Sequence, residues 1–443
     1  MEEMIGIISL VIDYNYDMLP QEICKRIYEL SENNLAVMGL AWGIAGNKAL
    51  PKDIRDLLFK LSKNPDVGYS VGWAIAYNFD KVPSEIQRLL IHLSENISNS
   101  RPISWAIAYN FEKITESIRN RLLLRLCDRI QSVQFIAFAM RNNFDKIPTR
   151  LRNKLLLKLS EKDLAEKDIY DPFLEIALTI NNNFGAITAE IKDEVLIKLS
   201  TKKEIAKYIG AILATKFDEM NQDTREIMLI NLLKQEEAES AISYIVAYKL
   251  DTLSSKLNED IIIDLSKGEK FAKEVSFYIY RKFNEIPFTT SYPCLRNLLE
   301  YDGASENLAK IVRFNFAQID VSLRDELIKR LMNRDAARKD ITYAILFNCG
   351  ELPEEILNLV GKIQLDVQEA IEEISRSEEY SNLPLYYIGK LWNSLQPNFV
   401  IRMLQKLATS ETEEIRLSAE NLLGIFVPYY ENNQTMHSST NNI

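Results

Sequence analysis

The chain holds 443 residues but only two histidines, His92 and His437, and four cysteines, Cys24, Cys127, Cys294 and Cys349. A Ser-His-Asp or Cys-His nucleophilic arrangement would have to use His92, which stands alone on a helical stretch and reads as an ordinary surface or packing residue. The cysteines are far apart, with no CxxC pair and no metal-ligand spacing, so zinc has no compact ligand set. Neither GxxxxGK[ST] nor GxGxxG occurs, which leaves phosphate binding on a glycine loop without support. Carboxylate pairs such as Glu236-Glu237 and Glu372-Glu373 are sequence neighbours on helices and point to different sides. The expectation is a non-enzymatic chain with no catalytic residue, no cofactor, no metal and no small-molecule substrate.

Charge spacing carries more. Formal net charge is −10, yet residues 101–160 hold 12 Lys and Arg against 4 Asp and Glu, while residues 351–443 hold 6 against 14. Arg119, Arg121, Arg125, Arg152, Lys154 and Lys158 are therefore the candidate partner-binding residues. They fit a protein partner whose charges complement the basic centre and the acidic C-terminal part, which would set orientation and association rate more than affinity. The alternative is nucleic acid or another polyanion in a basic groove at 101–160, with binding that weakens steeply as salt rises. Trp42, Trp73 and Trp105 recur at a constant offset beside a small residue and read as packing elements, not as a binding platform.

What must position these residues is a repeat. The pattern Asn78-Phe79-Asp80-Lys81-Val82-Pro83 returns at Asn15, Asn47, Asn110, Asn143, Asn183, Lys216, Lys249, Lys282, Asn315 and Asn348, with gaps of 32, 31, 32, 33, 40, 33, 33, 33, 33 and 33. A fixed period of this size means stacked units. Five residues before each mark stands an aromatic in Trp73, Trp105, Phe138, Tyr244, Phe277 and Tyr343. Six residues before the mark is a small residue, as in Gly72, Ser104, Ala137, Gly210, Ser276 and Thr342, letting neighbouring helices approach. A first helix is expected to end at the mark, where Asn tolerates left-handed backbone, and the following aromatic to fold onto the core. A second helix should begin five residues later at Pro148, Pro287 or Pro353, or at a capping residue such as Asn221 or Asp320.

With helix pairs, a turn acid at Asp80, Asp145 and Asp218, and a base early in the second helix at Arg119, Arg152, Lys192, Arg225 and Arg324, the chain resembles the HEAT and armadillo-type α-solenoids over residues 5 to about 425. That resemblance implies a right-handed superhelix whose second-helix row lines a concave face, and a ladder in which turn Asp and helix Arg pair from one repeat to the next. The fold class expected is all-α, a superhelix of about 11–12 helix pairs with a period near 33 residues.

One repeat domain is expected over 1–425, with a longer loop near 161–172, degenerate repeats at 354–425 and a disordered tail at 426–443. Scattered cysteines and the lack of an apolar run of ~18 residues point to a cytoplasmic protein without a membrane span. Its expected work is that of a protein-interaction scaffold or sensor module.

Overall fold

The computed structural model describes residues 12, 18–29, 40, 43–44, 52–82, 84–162, 171–376 and 383–440, the side chains at 53–54, 65, 84–86 and 431–440 excepted. The marks at Asn15 and Asn47, Trp42, Pro83 and most of the expected loop at 161–172 lie outside the described residues. All regular structure among the described residues is helical. The chain divides into two compact units, Met1–Ile242 and Ser243–Ile443, where the sequence leads to an expectation of one domain. Each unit is a tandem array of helix pairs.

In the first unit the pairs are Gly68–Tyr77 with Ser84–Leu93, Ser100–Tyr109 with Glu116–Leu126, Val133–Asn143 with Thr149–Glu161, Pro172–Asn182 with Ala189–Ser200, and Ala206–Lys216 with Gln222–Leu232. First helices pack on first helices and second on second. The aromatic after each mark is buried, as expected: Phe79, Phe111, Phe144, Phe184 and Phe217 here, and Phe283 and Phe316 in the second unit. The small-residue position is where first helices touch. A Cβ on Gly72 would lie 2.9 Å from Pro102 Cγ, and one on Gly210 would lie 3.0 Å from Ala241 Cβ. Asn221 and Asp320 cap their helices, accepting from the Thr224 amide at 2.7 Å and from the Ser322 amide at 3.0 Å.

The mark asparagine works differently from the expectation. Asn78, Asn110, Asn143, Asn315 and Asn348 have φ between −108° and −135°, so none is left-handed. The side chain explains the residue. Asn110 Nδ2 donates to the Ala76 carbonyl at 3.2 Å, at the carboxyl end of the preceding first helix, and Asn78 Nδ2 donates to the Ile44 carbonyl at 3.0 Å. Asn143, Asn183 and Asn348 donate to carbonyls four residues back on their own helices, at 3.1, 2.9 and 2.8 Å. The last carbonyls of a helix have no partner within it, so an amide placed there satisfies groups that burial would otherwise strand. In the second unit Lys282 stands at the mark, and the residue before it takes over: Arg281 Nη1 donates to the Ala247 carbonyl at 3.1 Å.

The second unit contains the pairs Ala272–Lys282 with Phe288–Leu298 and Ser305–Phe314 with Val321–Leu331, followed by Asp335–Phe347. The rhythm then stretches. Leu391 follows Asn348 by 43 residues, and the interval holds the short helix Glu354–Leu357, which packs on Val321–Leu331, the 3-10 segment Asn358–Ile363, and Gln364–Ile374, which packs on Asp335–Phe347. The pair Leu383–Leu391 with Pro397–Leu407 follows, Trp392 standing at the degenerate mark. The last helix, Glu413–Thr440, carries helical backbone through the stretch expected as a disordered tail. An aromatic anchor accounts for it, since Phe426 is buried and its ring and that of Tyr429 lie 5.3 and 5.2 Å from Trp392.

Candidate functional site

The six candidate basic residues separate into three groups. Arg119 and Arg152 are structural. Arg119 is 8% exposed, its guanidinium lies 4.1 Å from the centroid of Phe111 in its own repeat, and Nη1 donates to the Phe111 carbonyl at 3.1 Å. Burial holds its pKa below the usual arginine value. Arg152 repeats the arrangement on Phe144, 4.7 Å from the ring and 3.3 Å from its carbonyl. Lys192 on Phe184, Arg225 on Phe217 and, in the second unit, Arg324 on Phe316 complete the series. The expected ladder between turn acid and helix arginine is thereby corrected. A guanidinium stacks on an aromatic face and forks to one carbonyl better than it reaches a solvated carboxylate one layer away. Arg152 does come near a turn acid, but it is Asp145 of its own repeat, at 3.8 Å. The turn acids pair instead with a lysine of the following turn: Asp80 with Lys113 at 2.6 Å and Glu112 with Lys146.

Arg125 and Lys158 form a second series, which sequence reasoning missed. Each lies in the last turns of a second helix and reaches back to the carboxyl end of the previous one. Arg125 Nη1 donates to the Ile91 carbonyl and to Ser94 Oγ, both at 2.9 Å, and Arg129 Nη1 to the Asn96 carbonyl and Ser100 Oγ, both at 3.0 Å. Lys158 Nζ donates to Asp128 Oδ1 at 2.6 Å and Lys162 Nζ to the Asp128 carbonyl at 3.0 Å. The Lys158 hydrogen bond, with further help from Lys162, holds the Asp128 carboxyl below its usual pKa. In the second unit Arg330 and Arg334 do the same at Glu300 and the Tyr301 carbonyl, at 2.8 and 3.1 Å. Cations are stabilised at a helix carboxyl end, where unpaired carbonyls accumulate. The visible signal was a base about 31 residues after the Ser or Glu that ends the previous helix.

Arg121 and Lys154 remain exposed and form no hydrogen bond or ion pair among the described residues. Of the whole sequence-selected cluster, these two side chains are open to a partner.

The first helices build a different surface. Trp73 and Tyr77 stand one turn apart on Gly68–Tyr77, Trp105 and Tyr109 one turn apart on Ser100–Tyr109, and Phe138 follows on Val133–Asn143. Their rings form a continuous run: Trp73 to Tyr77 at 5.3 Å, Tyr77 to Trp105 at 4.8 Å, Trp105 to Tyr109 at 4.4 Å and Tyr109 to Phe138 at 5.4 Å. Contacts of this length are the normal range for interacting aromatics. The run walls an open cleft of about 450 Å³, whose other residues include Arg101, Gln134, Asp171 and Glu175. Tyr77 is 56% exposed and Tyr109 55%. The tryptophans were expected to be packing elements alone. The structure gives Trp73 and Trp105 a place in the cleft wall, because aromatics one turn before the mark extend the hydrophobic strip to the surface. That second aromatic column, four residues after the first, was present in the sequence and would have disclosed the cleft.

The far end of the cleft is polar. Arg141 lies 5.1 Å from the Phe138 ring and its Nη1 is 3.2 Å from Glu175 Oε2, an approach too oblique for a hydrogen bond. Burial raises the Glu175 pKa, against the lowering effect of Arg141. Asp171 caps Pro172–Asn182 through the Phe173 amide at 3.0 Å and accepts from the Tyr208 hydroxyl at 2.6 Å. Both acids are therefore engaged in holding the fourth repeat. His92 is exposed beside Glu95, at 3.4 Å, on the opposite row. Burial pushes the thiols of Cys127 and Cys294 up to about 11, which keeps them protonated and unreactive.

No family model matches the chain, and no curated protein matches it. A solved structure described as a circular tandem repeat protein with novel repeat topology and enhanced subunit contact surfaces is similar at 13% identity, covering 100% of this chain and 97% of that one, with a TM-score of 0.17. Among the described residues no helix is long and apolar enough to cross a membrane.

Proposed function

We propose that the chain is a non-enzymatic binding scaffold whose principal contact surface is the aromatic cleft on the first-helix row of the first unit. The supporting observation is the pair of half-exposed tyrosines, Tyr77 and Tyr109, standing over Trp73 and Trp105 in an open cleft of about 450 Å³. Tyr and Trp supply large, rigid contact area with a polar tip, the side-chain chemistry from which binding hot spots are built. A polypeptide segment laid along successive repeats is the occupant that uses such a surface, one layer after another. Four unpaired cysteines fit a cytoplasmic setting, and the helix pairs fit a HEAT or armadillo-type relationship at a shorter period.

The second reading is polyanion binding on the second-helix row. It is supported by Arg121 and Lys154, together with the exposed Arg88 and Arg150. One experiment separates the two. Tagged wild type, Tyr77→Ala/Tyr109→Ala and Arg121→Glu/Lys154→Glu chains are used to capture partners from native lysate with nuclease present and absent. A discrete protein lost with the tyrosine pair and retained with the charge reversal supports the aromatic surface. Loss with the charge reversal or with nuclease, and none with the tyrosine pair, transfers the function to the basic row.

A further inference from the structure

In the second unit the helices Asp335–Phe347 and Gln364–Ile374 flank a cavity of about 190 Å³ lined by Thr342, Tyr343, Asp366, Glu369 and Glu373, together with Lys339. Thr342 is 1% exposed, and its Oγ1 is buried without a hydrogen-bond partner. That is unusual for this chain. Thr179 and Thr215 donate to the carbonyls four residues back, at 2.7 and 2.8 Å. Ser104 and Ser276, which occupy the Thr342 position in their own repeats, donate to the Arg101 and Lys273 carbonyls at 2.9 and 2.8 Å. A buried hydroxyl is normally satisfied, so an orphan that lines a cavity marks a place where a polar group is missing.

The charges around it specify which group. Asp366 has Arg338 Nε at 3.7 Å, Glu373 has Lys339 Nζ at 3.9 Å, feels the charge of Arg376 and accepts from the Tyr343 hydroxyl, and Glu369 has neither hydrogen bond nor ion pair among the described residues. Three carboxylates thus face fewer unshared cations, within a C-terminal segment that holds 14 acids against 6 bases in a chain of net charge −10. The Tyr343 ring already holds a cation, the Arg313 guanidinium, 4.4 Å from its centroid. No group of three His, Cys, Asp or Glu among the described residues is arranged to hold a metal ion, so the complementary species is organic.

We propose that this cavity binds a primary alkylammonium group, supplied by a lysine side chain or by a free polyamine. An ammonium carries three donors and no acceptor, which suits one hydroxyl oxygen and flanking carboxylates. A guanidinium is a flat fork that prefers two parallel acceptors on one carboxylate. The cavity is smaller than the roughly 300 Å³ at which sites for drug-sized ligands begin, and it suits a group the size of a side chain.

The test is calorimetric titration of the full chain with n-butylammonium, spermidine and the peptide Gly-Gly-Lys-Gly-Gly, with butyltrimethylammonium as the cation that cannot donate. Saturable binding of the primary amines is expected, at least about tenfold tighter than the quaternary cation and weakening with salt. Thr342→Val removes the orphan oxygen at constant shape, so it should leave the unfolding midpoint unchanged or raised while weakening butylammonium at least about tenfold. Glu369→Gln should weaken it too, with the fold intact. A preference for the peptide or for spermidine assigns the source of the ammonium. Absence of saturable binding up to about 10 mM, equal affinity for the quaternary cation, or unchanged binding by both variants overturns the proposal.

Discussion

The two rows of the first unit invert what their residue types suggest. The second-helix row carries the density of positive charge, yet Arg119 and Arg152 are buried against phenylalanines and Arg125 and Lys158 are engaged at the carboxyl ends of neighbouring helices. The first-helix row carries aromatics at packing intervals, yet half of Tyr77 and Tyr109 faces solvent over a cleft. Charge is mobile on a flexible stem and finds an intramolecular acceptor wherever a repeat offers one. A ring on a helix has two torsions, and two rings one turn apart must extend outward together. Local composition is thus a poorer guide to a binding face than the register of a side chain within its repeat.

The largest effect that could break this contrast lies inside the basic row. Arg119→Glu would bury a carboxylate against the Phe111 carbonyl and should cost about 3 kcal/mol, whereas Arg121→Glu on the same helix should stay within ~0.5 kcal/mol. Urea unfolding followed by circular dichroism measures both. Equal midpoints for the two variants would mean that buried and open bases are not different populations.

The aromatic row offers a smaller effect with the same logic. Trp105→Ala removes a half-buried indole in contact with Trp73, Tyr77 and Tyr109, and should cost about 2 kcal/mol. Tyr109→Ala should cost less than ~1 kcal/mol while shifting tryptophan emission to the red, because Trp105 loses its outer cover. If Tyr109→Ala proved as damaging as Trp105→Ala, the tyrosine column would be core and the cleft would lose its rim.

The smallest effect sharpens the view of the helix-end bases. The Asp128 carboxyl has a folded pKa lowered chiefly by its hydrogen bond from Lys158. Its contribution to stability is therefore present above the ordinary carboxylate pKa of 3.8 and lost as pH falls through the lowered value. Asp128→Asn should reduce stability by under ~1 kcal/mol at pH 7, since half of the side chain is solvated, and the gap to wild type should close on acidification. A gap that widened towards low pH would contradict the pairing.

Much of the fold was legible, because a 33-residue period, a small residue and a buried aromatic at fixed offsets are local facts repeated many times. The asparagine at the mark was read correctly as a helix end and wrongly as left-handed backbone. At Asn78 and Asn110 the side chain's partner is a carbonyl 34 residues back, which becomes visible only when two layers are side by side, whereas at Asn143, Asn183 and Asn348 it is a carbonyl four residues back on the same helix. The same holds for the basic cluster. Composition reported its charge, but the acceptors that absorb Arg125 and Arg129 are backbone carbonyls and serine hydroxyls, which no charge count includes. The cleft was missed for a different reason: Tyr77 and Tyr109 were in plain view, but only the tryptophan column was read.

The ties between layers also set a rule for how such a chain can grow. A bond from Asn110 to Ala76, or from Arg125 to Ser94, joins residues about one period apart, so duplicating a whole repeat reproduces every tie and leaves none open. An insertion of part of a repeat shifts the count, and the surplus must then be built into the packing at a turn, as at 354–363, where Ile356 and Val360 are buried and the Leu357 carbonyl accepts from Ser394 Oγ 37 residues on. Length in this protein is therefore quantised: the gene can lengthen the array by copying units and can decorate it at turns, but it cannot stretch a layer.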